Sequence, residues 1–115
     1  MPALIVFCTC PDRATADALA LRLVEDRLAA CVQLLPVRSI YRWQDAVQGA
    51  DEVQLQIKTT SERFAALREA VVAGHAYELP ELIAVEAVAG LEPYLAWIGA
   101  STLSVTDHDA DPGRA

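Results

Sequence analysis

Basic residues are scarce in this chain. Lys58 is its only lysine, and nine lysines and arginines stand against sixteen aspartates and glutamates in 115 residues. The net charge of −7 works against nucleic acid and anionic membranes as partners, because both select basic surfaces. It is compatible with attraction of cations. No run of about 20 apolar residues occurs, so no membrane-spanning helix is expected. A basic segment leading into an apolar one is also missing at the start, so no secretory signal is visible. Only three cysteines occur, Cys8, Cys10 and Cys31, all in the first third. Three is odd and too few for a disulfide framework, which fits a reducing compartment, and the cytoplasm is the expected location.

Apolar residues, by contrast, are abundant. They make up 54% of the chain, against roughly 45–50% in an ordinary globular protein. A single small domain has too little interior for that share, although alanine supplies part of it, and the excess points to a subunit interface. The length is that of one domain, able to bury a core without staples.

The first apolar run, Leu4–Cys8, reads as a central strand covered on both faces. It ends in Thr9-Cys10-Pro11-Asp12, where Asp12 is a good N-cap for a helix reaching about Arg27. Leu21, Val24 and Leu28 mark one face of that helix, widened by Ala16, Ala20 and Leu23. A second strand runs from Cys31 to Trp43, with a bulge or bend expected at Pro36. Gln48-Gly49-Ala50-Asp51 reads as a turn. Glu52–Lys58 alternates cleanly and completes a long antiparallel hairpin. Ser61 caps a second helix to about Ala73, with Phe64, Leu67 and Val71 inward and Gly74 as its C-terminal stop. After the irregular segment 75–81, Leu82–Val88 is a fourth core strand. Glu92-Pro93 opens a last helix carrying Tyr94, Leu95, Trp97 and Ile98. From Ser104 the sequence turns polar and reads as a disordered tail. The order β-α-β-β-α-β plus a terminal helix is the split βαβ, ferredoxin-like arrangement, an α+β fold. One sheet face lacks helices and the hairpin is overlong, and both features point to contacts between copies.

Five segments carry a resemblance to the CutA family of divalent-cation tolerance proteins. They are Phe7-Cys8-Thr9-Cys10-Pro11-Asp12, Leu28-Ala29-Ala30-Cys31-Val32, Ser39-Ile40-Tyr41-Arg42-Trp43, Ile57-Lys58-Thr59 and Tyr94-Leu95-Ala96-Trp97-Ile98. The similarity spans roughly residues 4–101, within a domain of residues 1–103. It implies a non-enzymatic homotrimer of ferredoxin-like subunits, similar in architecture to PII signalling proteins and linked with copper and other divalent metals. The family's metal-site pattern falls on Cys8 and on His75 of His75-Ala76-Tyr77, where the family has His-Pro-Tyr. The hairpin's Trp-x-Gly becomes Trp43-Gln44-Asp45.

Each candidate has a structural alternative. Thiolate and imidazole together suit copper or zinc, and no cofactor is obligatory. Two ligands cannot close a tetrahedral site, so Cys8 and His75 would need water or further groups. Cys8 is otherwise a buried strand residue, and His75 a capping or surface histidine. Cys10 is a second thiol near the helix start or simply a turn residue, and Cys31 belongs to the core. His108, among Asp107, Asp109 and Asp111, is a weak chelating cluster or a solvated tail. Lys58, Tyr77, Glu78 and Glu81 could hold an anionic ligand in a cleft between subunits, the PII-like alternative, or form ion pairs there. Tyr41, Trp43 and Trp97 suit an interface. A cysteine nucleophile with His75 as base would lack a third group to orient the base, so no enzymatic activity is expected.

Overall fold

A computed structural model describes residues 2–103. The polar tail and His108 lie outside the described residues. Four strands, β1 (Ala3–Cys10), β2 (Cys31–Trp43), β3 (Ala46–Thr60) and β4 (Ile83–Glu86), form one antiparallel sheet in the order β2-β3-β1-β4. Three helices accompany them: α1 (Arg13–Glu25), α2 (Phe64–Gly74) and α3 (Glu92–Ser101). The mixed α+β class expected from the sequence is therefore the observed one.

Side-chain alternation divides the sheet into two faces. Val6, Cys8 and Cys10 of β1 and Leu55 and Ile57 of β3 point to one face. There they join Leu19 and Leu23 of α1 and Leu67 and Val71 of α2 in a single buried cluster. Asp12 caps α1 as its residue type suggests, its carboxylate accepting from the Thr15 N–H at 2.8 Å. The buried stripe of α1 is Ala16, Leu19, Ala20 and Leu23, whereas Leu21 and Val24 are exposed. Two apolar stripes overlap on this alanine-rich helix, and the sheet takes the one that carries Leu19 and Leu23.

Several local expectations are corrected. The hairpin turn lies at Gln44–Asp45, not at 48–51: Trp43 pairs with Ala46 and the ladder runs unbroken to Cys31 and Lys58. Gln44 and Asp45 both have positive φ, 52° and 63°, the signature of a type I′ turn, whose hand matches the strand twist. Gly49 lies inside β3 opposite Ile40. A Cβ there would meet the Arg38 guanidinium at 2.7 Å. The missing side chain lets Arg38 cross the ribbon to Asp51, 3.3 Å away. Pro36 causes no bulge, because β2 is an edge strand where a missing donor can face outward. Ser61 is not a side-chain cap but opens a 3-10 turn, Ser61–Arg63, that leads into α2. Gly74 ends α2 without a left-handed residue, the chain passing into extended backbone at His75. The fourth strand is shorter than expected and forms the other edge, with Ile83 and Val85 exposed.

The turn supplies a stability test. A non-glycine residue in the left-handed region costs roughly 1–2 kcal/mol. Asp45→Gly should therefore raise unfolding free energy by about 1 kcal/mol, read from the denaturant midpoint. A lower midpoint would mean that Asp45 makes a contact worth more than its strain.

The second sheet face is only partly covered. Tyr94 of α3 lies beneath Lys58, whose ammonium is 5.6 Å from the ring centroid. Elsewhere on this face Ile5 pairs with Val85 and Phe7 with Ile83, leaving an apolar strip partly open to solvent.

Candidate metal centre

β1 delivers two thiols to the same face, Cys8 and Cys10, because residues two apart on an extended strand point the same way. Both are fully buried. α2 delivers the third group. The helix stops at Gly74, and the change to extended backbone at His75 turns the imidazole back over the end of β1. His75 Nε2 then lies 3.9 Å from Cys10 Sγ and 2.7 Å from the Thr9 carbonyl oxygen. The Cys8, Cys10 and His75 ligand atoms all lie within 4.8 Å of one another, the one such group of three or more among the described residues.

The hydrogen bonds fix the imidazole tautomer. A carbonyl only accepts, so Nε2 carries the proton and donates it to Thr9. Nδ1 accepts from the Tyr77 N–H at 3.0 Å. Tyr77 is held in turn: its hydroxyl donates to Glu52 Oε2 at 2.6 Å, and its ring lies 5.0 Å from that of His75.

The two thiols are electrostatically unequal. The hydrogen bond with Cys10 and burial push the Cys8 thiol up, with smaller contributions from the charges of Cys10 and Glu81. The same interaction between the two thiols holds Cys10 down against the opposing effect of burial. Cys10 is thus the first thiolate of the pair. Desolvation and the bond to Glu52 raise the Tyr77 phenol, which stays a donor.

The spacing favours a chelate over a disulfide. Strand residues two apart have Cα atoms roughly 6.7 Å apart, at the outer limit for a disulfide, and both cysteines are free. An ion bonded at about 2.3 Å to sulfur and about 2.0 Å to nitrogen holds those two atoms roughly 3.5–3.7 Å apart. The Cys10–His75 separation of 3.9 Å needs to contract by only a few tenths of an ångström. Softness points the same way, since thiolates with imidazole suit copper and zinc.

The structure therefore brings Cys8 and His75 near each other, adds Cys10 as the thiol in contact with the imidazole, and draws in Glu52. Sequence reasoning missed Glu52 because it stood at the start of a strand that looked only half-exposed. Cys31 lies on the opposite sheet face, in register with Lys58. The anionic-ligand set is not assembled within this chain. Lys58 donates to Gln33 Oε1 at 2.9 Å, on the second face. Tyr77 sits beside Glu52, six residues and roughly 20 Å back along β3. Glu78 and Glu81 are exposed. Tyr41 and Trp43 lie near the hairpin tip and Trp97 on α3, all three partly exposed.

Comparison with known proteins gives a consistent result. Residues 4–101 match the family model described as CutA1 divalent ion tolerance protein. The chain is 41% identical over 100 residues to the divalent-cation tolerance protein CutA of Citrobacter koseri, covering 86% of this chain and 87% of that one. It is 43% identical over 102 residues to human protein CutA, covering 88% of this chain but only 57% of the human one. Among solved structures, the divalent cation tolerance protein of Thermus thermophilus superimposes with a TM-score of 0.86 at 41% identity, over 88% of this chain and 99% of that one.

Proposed function

The chain belongs to the CutA1 divalent ion tolerance family, and on that premise we propose that it binds soft metal ions, copper or zinc, through Cys8, Cys10 and His75 as a subunit of a non-enzymatic homotrimer. The observation that carries the metal reading is the convergence of two thiols and an imidazole within 4.8 Å. Among the described residues, no carboxylate belongs to that group. Magnesium and calcium, which need several oxygen ligands, are poor matches. The acidic surface concentrates cations near the protein.

The trimer draws support from what one subunit leaves open. The strip formed by Ile5, Phe7, Ile83 and Val85 is only partly covered. The hairpin projects beyond the core with Ile40, Tyr41, Trp43 and Val47 exposed, in a molecule 54 Å long and 21 Å thick. Isolated apolar residues are common on surfaces, whereas a contiguous strip across two strands is the kind of surface that contact with another copy would cover. The strand order, with α1 and α2 on one face, fits a ferredoxin-like subunit.

Native mass spectrometry tests both parts together. Wild type is expected as a species of three chains, each taking up one copper(I) or zinc ion under reducing conditions. Cys8→Ser, Cys10→Ser and His75→Ala should each weaken uptake. Unchanged uptake by all three variants would remove these residues from the site, and a stable single chain would remove the trimer.

A further inference from the structure

We infer that Tyr77, anchored by Glu52, is the positioning residue of this site: it fixes the imidazole of His75 and holds segment 75–80 closed over the two thiols. The inference rests on the metal-binding reading for its functional meaning, but its physical content stands apart from it.

His75 turns its ring proton, not its free lone pair, toward Thr9 and Cys10. The lone pair on Nδ1 is occupied by the Tyr77 N–H. For Nε2 to ligate an ion, the proton must leave it. If the proton moves to Nδ1, the Tyr77 N–H loses its acceptor and faces another N–H. Ion capture therefore requires the backbone at Tyr77 to shift. The Tyr77 side chain opposes that shift. Its hydroxyl is tied to Glu52 on β3 by a short bond to a carboxylate, and such charge-assisted bonds are stronger than neutral ones. Glu52 is well placed as an anchor because its strand is paired on both sides there, with Cys10 opposite Val53 and Val37 opposite Glu52.

Both thiols are fully buried while His75 and Tyr77 are only half-buried. The exposed end of the site is thus a strap of side chains, and its one charged tether to the sheet is the Tyr77–Glu52 bond. Cutting the tether costs the closed state and leaves the open state unchanged, so the open fraction should rise. Loss of one charge-assisted hydrogen bond shifts such an equilibrium by about tenfold or more.

Two readouts that need no metal test this on the reduced, full-length protein. The first is the rate at which a thiol reagent, dithionitrobenzoate, labels Cys10 in a Cys8→Ser, Cys31→Ser background. The second is the pair of 15N shifts of the His75 ring, which report the tautomer. Tyr77→Phe and Glu52→Ala should each speed labelling by about tenfold and move the ring from a single Nε2–H form to a tautomer mixture. Glu52→Gln keeps an acceptor for the hydroxyl but loses the charge, and should fall between wild type and Glu52→Ala. Wild-type labelling and an unchanged tautomer in both Tyr77→Phe and Glu52→Ala would overturn the inference. Failure of wild type to bind metal, with these shifts present, would instead overturn the metal reading and leave the positioning role standing.

Discussion

Leu23→Ala should lower the unfolding free energy by about 2–5 kcal/mol, whereas Leu21→Ala, two positions away, should change it by no more than about 0.5 kcal/mol in the single chain's fold. Leu23 is fully buried among β1, β3 and α2 residues, and Leu21 is 62% exposed. The surroundings of Leu23 also have little freedom to close a cavity. Its carbonyl accepts the N–H groups of Leu28 at 2.9 Å and Ala29 at 3.1 Å. Arg27 is held in the left-handed region, with φ of 60°, to make that reversal. The backbone around Leu23 is thus pinned by the exit from α1 into β2, and the cost should fall in the upper part of the range. Urea midpoints at one fixed protein concentration measure both variants, because any assembly would couple apparent stability to concentration. Equal losses in the two variants would mean that the outer stripe of α1 is covered as thoroughly as the inner one.

That contrast also shows where the sequence was ambiguous. Strand alternation in Glu52–Lys58 was legible because one face is apolar and the other polar, and it placed Leu55 and Ile57 correctly. α1 is different: alanine and leucine occur on more than one side, so periodicity alone does not choose a face. The contact with the sheet chooses it. Turn chemistry misled in a similar way. Gln48-Gly49 reads as a turn because glycine is permissive, yet here the glycine serves the passage of Arg38 over the ribbon. The true turn, Gln44–Asp45, uses two residues that tolerate positive φ at some cost. Nothing local distinguishes the two cases; the pairing of Trp43 with Ala46 does. The terminal strand was overestimated because Leu82–Val88 is almost uniformly apolar. Only Ile83–Glu86 pairs in the ladder with β1, with one further bond from the Ala87 N–H to the Ala3 carbonyl.

The candidate metal centre was legible in part. The alternation of Cys8, Thr9 and Cys10 puts both thiols on one side, and that much needs only strand geometry. The pairing with His75 entered through the family resemblance, since 65 residues separate it from Cys10 and no local pattern spans that distance. Glu52 was invisible for a related reason. Its role depends on the strap after α2 returning to the end of β1, a tertiary event. The chemistry of each residue could be read from its type, but the order of their importance could not. Cys10, by sequence either a second thiol near the helix start or a turn residue, is the thiol in contact with the imidazole.

The inequality of the two thiols leads to the last expected result: soft-metal affinity climbs steeply with pH, and Cys8 sets much of the slope. The Cys8 thiol is pushed up by its hydrogen bond to Cys10 and by burial, so it still holds its proton at neutral pH. Cys10 is held down by the same bond. An ion bound by both sulfurs must expel the Cys8 proton across the whole neutral range, and the Cys10 proton as well below that group's titration. Each displaced proton changes affinity by about tenfold per pH unit. Affinity should therefore rise by at least about tenfold per unit from about pH 6 to 9. The sign follows from competition: protons and the ion seek the same sulfur lone pairs, so acid weakens binding. Cys8→Ser removes one displaced proton, and its slope should be lower by about one decade per unit throughout. Competition titrations of zinc or copper(I) at several pH values, with proton release followed by an indicator dye, measure both slopes. Equal slopes in wild type and Cys8→Ser would mean that Cys8 never gives up its proton to the ion, leaving Cys10 and His75 as the only ligands from this chain.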